Sequence, residues 1–459
     1  MTLIRSISGI RGTIGGAPGE GLTPSDVVAY TAAFYQMLRN RSGRSLHIVV
    51  GRDARPSGPV ISSLVNATLV SMGARVTDLG LTTTPTVEVA VTMEGADGGI
   101  ILTASHNPVQ WNALKLLNGR GEFISAEDGA ELLRIAADGS ASYAGVTELG
   151  TIAHKDYLEI HLDEILKLPL VDTNAIRNAG FRIAVDAVNS TGGIYVPALL
   201  RKLGVQEVVE LYCEPHGQFP HNPEPLPEHL TELSKTVADN KCHLGISVDP
   251  DVDRLALVCE DGSMFGEEYT LVAVGDYVLQ HKKGPAVSNL SSTMALRDVA
   301  HSHGVEYYSA AVGEVNVVSR MKETGAVIGG EGNGGVIYPD AHYGRDALVG
   351  IALFLSHLAK SGMTASQLRN SYPSYVISKN KIELGPGTDV DSILEKVKES
   401  NAQYEINTID GVRIDFGKEW VHLRKSNTEP IIRIYAESSS AAKAAELAGR
   451  IMQEIQQFV

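Results

Sequence analysis

Short apolar runs that break into small polar turns recur along this chain, with helix-length stretches between them. That alternation restricts the fold more than any other feature. LHIVVGRDARPSG from Leu46, FRIAVDAVNSTGG from Phe181 and HLGISVDPDVD from His243 each read as a buried strand ending in a turn. TPSDVVAYTAAFYQMLRN from Thr23 and SGPVISSLVNATLVSMG from Ser57 read as helices. Strands alternating with helices of this length form α/β layers with parallel or mixed sheets. The likeness of the first two strand–turn units points to an internal duplication.

At 459 residues the chain is too long for one hydrophobic core. The small, polar stretch ADGSASYAGVTELGT closes a first α/β unit, residues 1–151. HKDYLEIHLDEILKL is a connecting helix into a second, residues 152–261. A helix after DPDVDRLALVCEDGSMFGEEY opens a third, residues 262–372. After LRNSYPSYV the order changes to strand, helix, strands, helix, which is a smaller α+β domain over residues 373–459.

Charge and cysteine narrow the function. Lys and Arg number 39 against 54 Asp and Glu, a net charge of −15, which argues against nucleic acid or an anionic membrane as partner. A local basic cluster can still hold a small anion. Cys213, Cys242 and Cys259 fit no zinc spacing and are an odd number for a disulfide framework. MTLIRSISGIRG lacks the apolar core of a secretory signal. No run approaches the roughly 18 apolar residues of a membrane span. The expectation is a cytoplasmic protein.

Asp249-Pro-Asp251-Val-Asp253-Arg254 is the sharpest chemical signal. Carboxylates at alternate positions repel one another unless a hard divalent cation joins them. An EF-hand fails, although Glu260 falls at its twelfth position, because Arg254 stands where the loop needs glycine. Magnesium with an open position for a phosphoryl oxygen fits better. In ILTASHNPVQWNALKLL, from Ile101, an apolar run breaks at Ser105-His106-Asn107-Pro108 and returns to a helical pattern. A serine between strand and helix has backbone N–H groups and a helix dipole that favour an anion on its hydroxyl. Pro108 suits a first helical turn. The same residues also read as an N-cap. Lys115 could carry a proton if its surroundings lower its pKa.

Two further loops are rich in ligand groups. Arg424-Lys-Ser426-Asn427-Thr428-Glu-Pro430, followed by Arg433, is a donor-rich nest suited to a dianion. It has neither the glycine spacing nor the following helix of a P-loop. Gly329-Gly-Glu331-Gly-Asn333-Gly-Gly335 is followed by VIYP rather than a helix, so a dinucleotide fingerprint fails. Its glycines let backbone approach a ligand, and Glu331 and Asn333 can bond sugar hydroxyls. Arg11, in SGIRG, and Arg52, in GRDAR, add guanidiniums.

One reaction accommodates all of these loops: one phosphate of a sugar is gripped while another is exchanged at serine. In motif order and over nearly its whole length, the chain resembles the α-D-phosphohexomutase family. TASHNP resembles the family's phosphoserine loop, DPDVDR its metal loop, GEGNGG its sugar loop and RKSNTEP its phosphate loop. The resemblance implies three related α/β domains with mixed sheets and a mobile C-terminal α+β domain around a central cleft. It implies that Ser105 is phosphorylated at rest, and that Asp249, Asp251 and Asp253 hold one magnesium ion against that group. His106, Lys115 and Arg254 then stand beside the reacting phosphate, with Lys115 assisting proton transfer. Arg11, Glu331, Asn333, Arg424, Ser426, Asn427, Thr428 and Arg433 contact the substrate. A hexose 1,6-bisphosphate is the expected activator, a sugar phosphate the expected partner, and the chain a monomer or homodimer.

Many family members have serine where Asn333 stands and histidine where Gly335 stands. GEGNGG resembles the archaeal-type phosphoglucosamine mutase branch, which favours conversion of glucosamine 6-phosphate to glucosamine 1-phosphate. Phosphoglucomutase or phosphomannomutase activity is the alternative. From other classes, a serine-dependent sugar phosphatase would not need the 424–433 nest, and an inactive sensor would not need Ser105 with all three aspartates.

Overall fold

The computed structural model describes residues 1–6, 9–385, 388–425 and 431–458. The chain forms two compact units, Met1–Thr270 with Gly334–Gln367, and Leu271–Asn333 with Leu368–Val459.

In the first unit, a seven-stranded sheet runs in the order Leu3–Ser6, Gly9–Thr13, Trp111–Asn118, Gly98–Leu102, His47–Arg52, Arg75–Leu81, Thr151–His154. The first four strands pair antiparallel and the rest parallel. The apolar run Ile-Val-Val, Ile48 to Val50, follows from burial on both faces. Ile48 and Val50 pack with Phe34, Leu69 and Ile100 under helices Pro24–Ser42 and Gly58–Ser71. Val49 points the other way, to Val87, Val91 and Ile101 beside helix Thr84–Met93. Helix Pro24–Ser42 starts at a reciprocal cap between Thr23 and Asp26, with Pro24 in its first turn, and stops at Gly43 in a left-handed conformation, φ 69°.

A second sheet has the order Leu255–Cys259, Leu244–Val248, Arg182–Asp186, Glu207–Leu211. Its first pair is antiparallel and the others parallel. Helix Leu158–Leu166 precedes it, as HKDYLEIHLDEILKL predicts.

In the second unit, strands Tyr307–Ala310, Ala286–Asn289 and Ile328–Glu331 pair in parallel. A separate five-stranded sheet is antiparallel throughout: Val376–Glu383, Ile431–Ser438, Trp420–Lys425, Val412–Asp415, Glu405–Asn407. Helices Val390–Ser400 and Ala441–Gln456 bury Ile393, Val397, Leu447 and Ile451 against it. The strand Glu405–Asn407 is too short and polar to announce itself in sequence. Alternating α/β sheets thus precede a C-terminal antiparallel one. Among the described residues, no single helix is long and apolar enough to cross a membrane.

One local expectation fails. The residues after Pro108 are not a helix but the strand Trp111–Asn118, which returns antiparallel beside Gly98–Leu102 with Ile101 opposite Lys115. Pairing with that buried neighbour overrides the helical look of NALKLL.

Candidate active site

Ser105 sits in the loop between these two strands, so no helix dipole serves it. Its backbone is left-handed, φ 50°, a conformation that costs a non-glycine residue about 1 kcal/mol or more. Buried cations and hydroxyls hold the loop in that shape. Arg55 is fully buried and pairs with Asp53 at 3.0 Å. Its guanidinium donates to the carbonyls of Pro108 at 2.7 Å, Asn107 at 2.7 Å and Trp111 at 3.0 Å, and also to that of Ser105. Asp53 accepts from Thr103 Oγ1 at 2.6 Å, and that hydroxyl accepts the Ser105 N–H at 3.0 Å.

The acid loop leaves strand Leu244–Val248. All three aspartates are fully buried, and an oxygen from each lies within 4.8 Å of the others. Asp249 Oδ1 accepts the N–H groups of Asp253 and Arg254, each at 3.1 Å, which folds the loop back on itself. Asp249 Oδ2 accepts the Ser105 hydroxyl at 2.7 Å. Val252, between the other two, is a β-branched residue with φ 64°. Asp251 Oδ2 accepts Lys115 Nζ at 2.7 Å and the Thr84 hydroxyl. Asp253 Oδ2 accepts Arg345 at 2.7 Å and Lys115 at 3.4 Å. Asp251 Oδ1 and Asp253 Oδ1, both buried, make no hydrogen bond among the described residues. Buried carboxylate oxygens without donors suit a hard cation, and the all-oxygen set fits magnesium better than zinc.

The electrostatics follow from this crowding. Burial, then Asp253 and Asp251, push the Asp249 carboxyl well above its ordinary range. Burial would raise Asp253 as well, but Arg345, Lys115 and Arg254 outweigh it and hold that carboxyl down. Burial and Arg254 push His106 down to about 3, so its imidazole is neutral at physiological pH; its Nδ1 lies 3.3 Å from Ser105 Oγ. Lys115 reverses the sequence expectation. Burial opposes its charge, but Asp251 and Asp253 win and raise its pKa. In this arrangement it is a fixed cation rather than a ready base.

Ser105, His106, Lys115, Arg254 and the three aspartates therefore converge. Arg254 pairs with Glu224 at 3.1 Å. Arg11 lies on strand Gly9–Thr13 opposite Ala113, which places it on the sheet face that carries Lys115.

In the second unit, Glu331 is buried and accepts Asn289 Nδ2 at 2.8 Å and the Gly313 N–H at 3.0 Å. The adjoining Val312 N–H donates to Asp410 at 2.9 Å, and Asp410 pairs with Arg424 at 2.9 Å. Arg424 and Arg433 are direct cross-strand partners. Like charges opposite each other in a sheet repel, and Asp410 offsets part of that cost through Arg424. Asn333 is half-buried at the centre of the turn between strands Ile328–Glu331 and Gly335–Ile337. Ser426, Asn427 and Thr428 lie outside the described residues.

Sequence reasoning missed Arg55, Arg345 and Thr84. The one signal was GRDA, which occurs at both 51–54 and 344–347; it supplies Asp53 and Arg345.

Residues 3–142, 159–262 and 266–375 match the family descriptions "Phosphoglucomutase/phosphomannomutase, alpha/beta/alpha domain" I, II and III in turn. Residues 381–454 match the "C-terminal domain" of the same family. The chain is 34% identical over 451 residues to a Methanopyrus kandleri protein named "Probable phosphoglucosamine mutase", covering 96% of this chain and 95% of the relative. It is 34% identical over 441 residues to a Thermococcus kodakarensis "Phosphoglucomutase/phosphomannomutase", covering 95% and 96%. The crystal structure of a phosphoglucomutase/phosphomannomutase family protein from Burkholderia thailandensis superposes with a TM-score of 0.85 at 26% identity, covering 99% and 97% of the two chains. Full-length relatives and four family domains in order lead to one conclusion: the chain belongs to the α-D-phosphohexomutase family of isomerases.

Proposed function

We propose that this enzyme moves a phosphoryl group between C6 and C1 of a hexose phosphate through phospho-Ser105, with glucosamine 6-phosphate as the favoured substrate. The observation that carries the reading is the Ser105 hydroxyl, 2.7 Å from Asp249, beside buried acid oxygens that lack donors. The P–O bond to Ser105 Oγ breaks as the substrate's free hydroxyl oxygen bonds to phosphorus, and the proton that hydroxyl gives up ends on the departing Ser105 Oγ. The bisphosphosugar turns over, and its other phosphate returns to Ser105 Oγ. Lys115 and Arg254 act by their charge on the moving group, with neutral His106 beside them. Asp249, Asp251 and Asp253 would hold magnesium with the Ser105 phosphate, a hard cation that draws charge off the transferring oxygens.

Arg424 and Arg433, with Ser426, Asn427 and Thr428, are the grip on the phosphate that does not react. Arg11, Glu331 and Asn333 are the remaining substrate contacts. Domain limits at 151, 261 and 372, a cytoplasmic location and a monomer or homodimer complete the reading. The name of the Methanopyrus relative supports the amino sugar, and that of the Thermococcus relative supports glucose or mannose.

A coupled assay with glucosamine, glucose and mannose 6-phosphates decides among them. The highest kcat/KM is expected for glucosamine 6-phosphate, with stimulation by a hexose 1,6-bisphosphate. Chelation should abolish the activity and magnesium should restore it. Orthophosphate released faster than isomer is formed would replace this reading with a phosphatase. Replacing Arg424 or Arg433 by Ala should raise KM more than it lowers kcat. A charge-assisted hydrogen bond of about 1.5–3 kcal/mol corresponds to roughly 10- to 100-fold. Unchanged KM in both variants would remove the nest from the site.

A further inference from the structure

Next to the acid loop's Arg345 partner stands a buried cluster that the reaction above leaves unused. His161 Nε2 and His342 Nε2 each lie 3.1 Å from the same oxygen, Asp346 Oδ2. Ligand atoms of the three residues fall within 4.8 Å of one another. His161 and Asp346 are each 1% exposed. The remaining polar atoms of His161 and Asp346 are hydrogen-bonded elsewhere, and that of His342 has a carboxylate at ion-pair distance. His161 Nδ1 meets Thr86 Oγ1 at 2.8 Å. His342 Nδ1 lies 3.3 Å from Glu88 Oε2. Asp346 Oδ1 accepts the N–H groups of Leu348 at 2.7 Å and Val349 at 3.1 Å, capping helix Ala347–Ser361. Gly344 lets Glu88 come this close, since a Cβ there would lie 1.8 Å from Glu88 Oε2.

We propose that His161, His342 and Asp346 form a second metal site, for a divalent transition ion of the zinc type, through two imidazole Nε2 atoms and one carboxylate oxygen. Two nitrogens and one oxygen select such ions over magnesium. In the tautomer in which His161 Nδ1–H donates to the Thr86 hydroxyl, the Nε2 lone pair turns inward, which is how metal-binding histidines are oriented. The site is separate from the magnesium triad in its donors. It shares the helix Thr84–Met93, which sends Thr84 to Asp251 and Thr86 to His161.

The test uses the full-length chain, stripped by a chelator and titrated with cobalt(II) in millimolar magnesium to fill all-oxygen sites. The expected result is about one equivalent of cobalt retained per chain, with the visible absorption of a low-coordinate nitrogen–oxygen site. His161→Gln and His342→Gln should each weaken cobalt binding by roughly 100-fold or more, and Glu88→Gln by about 10-fold. Displacement of the cobalt by magnesium would overturn the proposal, as would the faint spectrum of an octahedral all-oxygen complex. Wild-type affinity in His342→Gln would overturn it too. The magnesium competition reads the unsubstituted protein, so a variant that fails to fold leaves the test intact.

Discussion

Ser105→Ala is expected to abolish interconversion of hexose 6- and 1-phosphates, lowering kcat by about 10⁵-fold, the scale seen when a covalent nucleophile is removed. The variant removes one oxygen, the only side-chain atom on residue 105 that can accept the phosphoryl group. It should remain folded. Alanine tolerates a left-handed backbone about as well as serine does, and the loop's carbonyls stay anchored on Arg55. Intact mass gives a second readout independent of turnover: a phosphoryl group on the parent chain, none on the variant. Activity within 100-fold of the parent would require another acceptor, and the phosphoserine reading would fall.

Arg55→Met should be the most damaging substitution that touches neither substrate nor metal. Arg55 and Asp53 are both fully buried. Removing one partner of such a pair leaves an uncompensated charge and costs about 3–5 kcal/mol. The Ser105 loop also loses the donor that gathers its carbonyls, and Phe219 loses the guanidinium 5.1 Å from its ring centre. Lysine would not rescue it, since a point charge cannot reproduce the planar fork. A chain of several domains does not unfold in one step. Amide hydrogen exchange over residues 98–118, with kcat, is therefore the proper readout. Faster exchange confined to that hairpin is expected, with kcat down about 100-fold through misplacement of Ser105. Wild-type exchange and kcat in the Met variant would show that the loop holds itself.

The acid loop was legible because its information is local: three carboxylates at alternate positions at the end of an apolar strand. The start of helix Pro24–Ser42 was legible for the same reason, at Thr23 and Pro24. The strand Trp111–Asn118 was not. Pro108 imitates a helix start, and only the pairing with Gly98–Leu102 settles the matter. Nor was the charge state of Lys115. Its partners Asp251 and Asp253 lie 136 and 138 residues away in the chain, so spacing carried no trace of them. Arg55 was hidden because its work is done on carbonyl oxygens, which every residue has.

Val252 points away from the chemistry, yet the chemistry depends on it. Its twisted backbone turns Asp251 and Asp253 toward Asp249, at a cost of about 1–3 kcal/mol. Its N–H donates to Asp249 O at 3.1 Å, and its carbonyl accepts from Ala347 at 3.2 Å. Its isopropyl group is wholly enclosed, and enclosing a side chain of that size returns about 1.5–3 kcal/mol. The two quantities are of one size. A greasy side chain that no sugar ever meets is thus the counterweight that keeps an otherwise self-repelling acid turn wound.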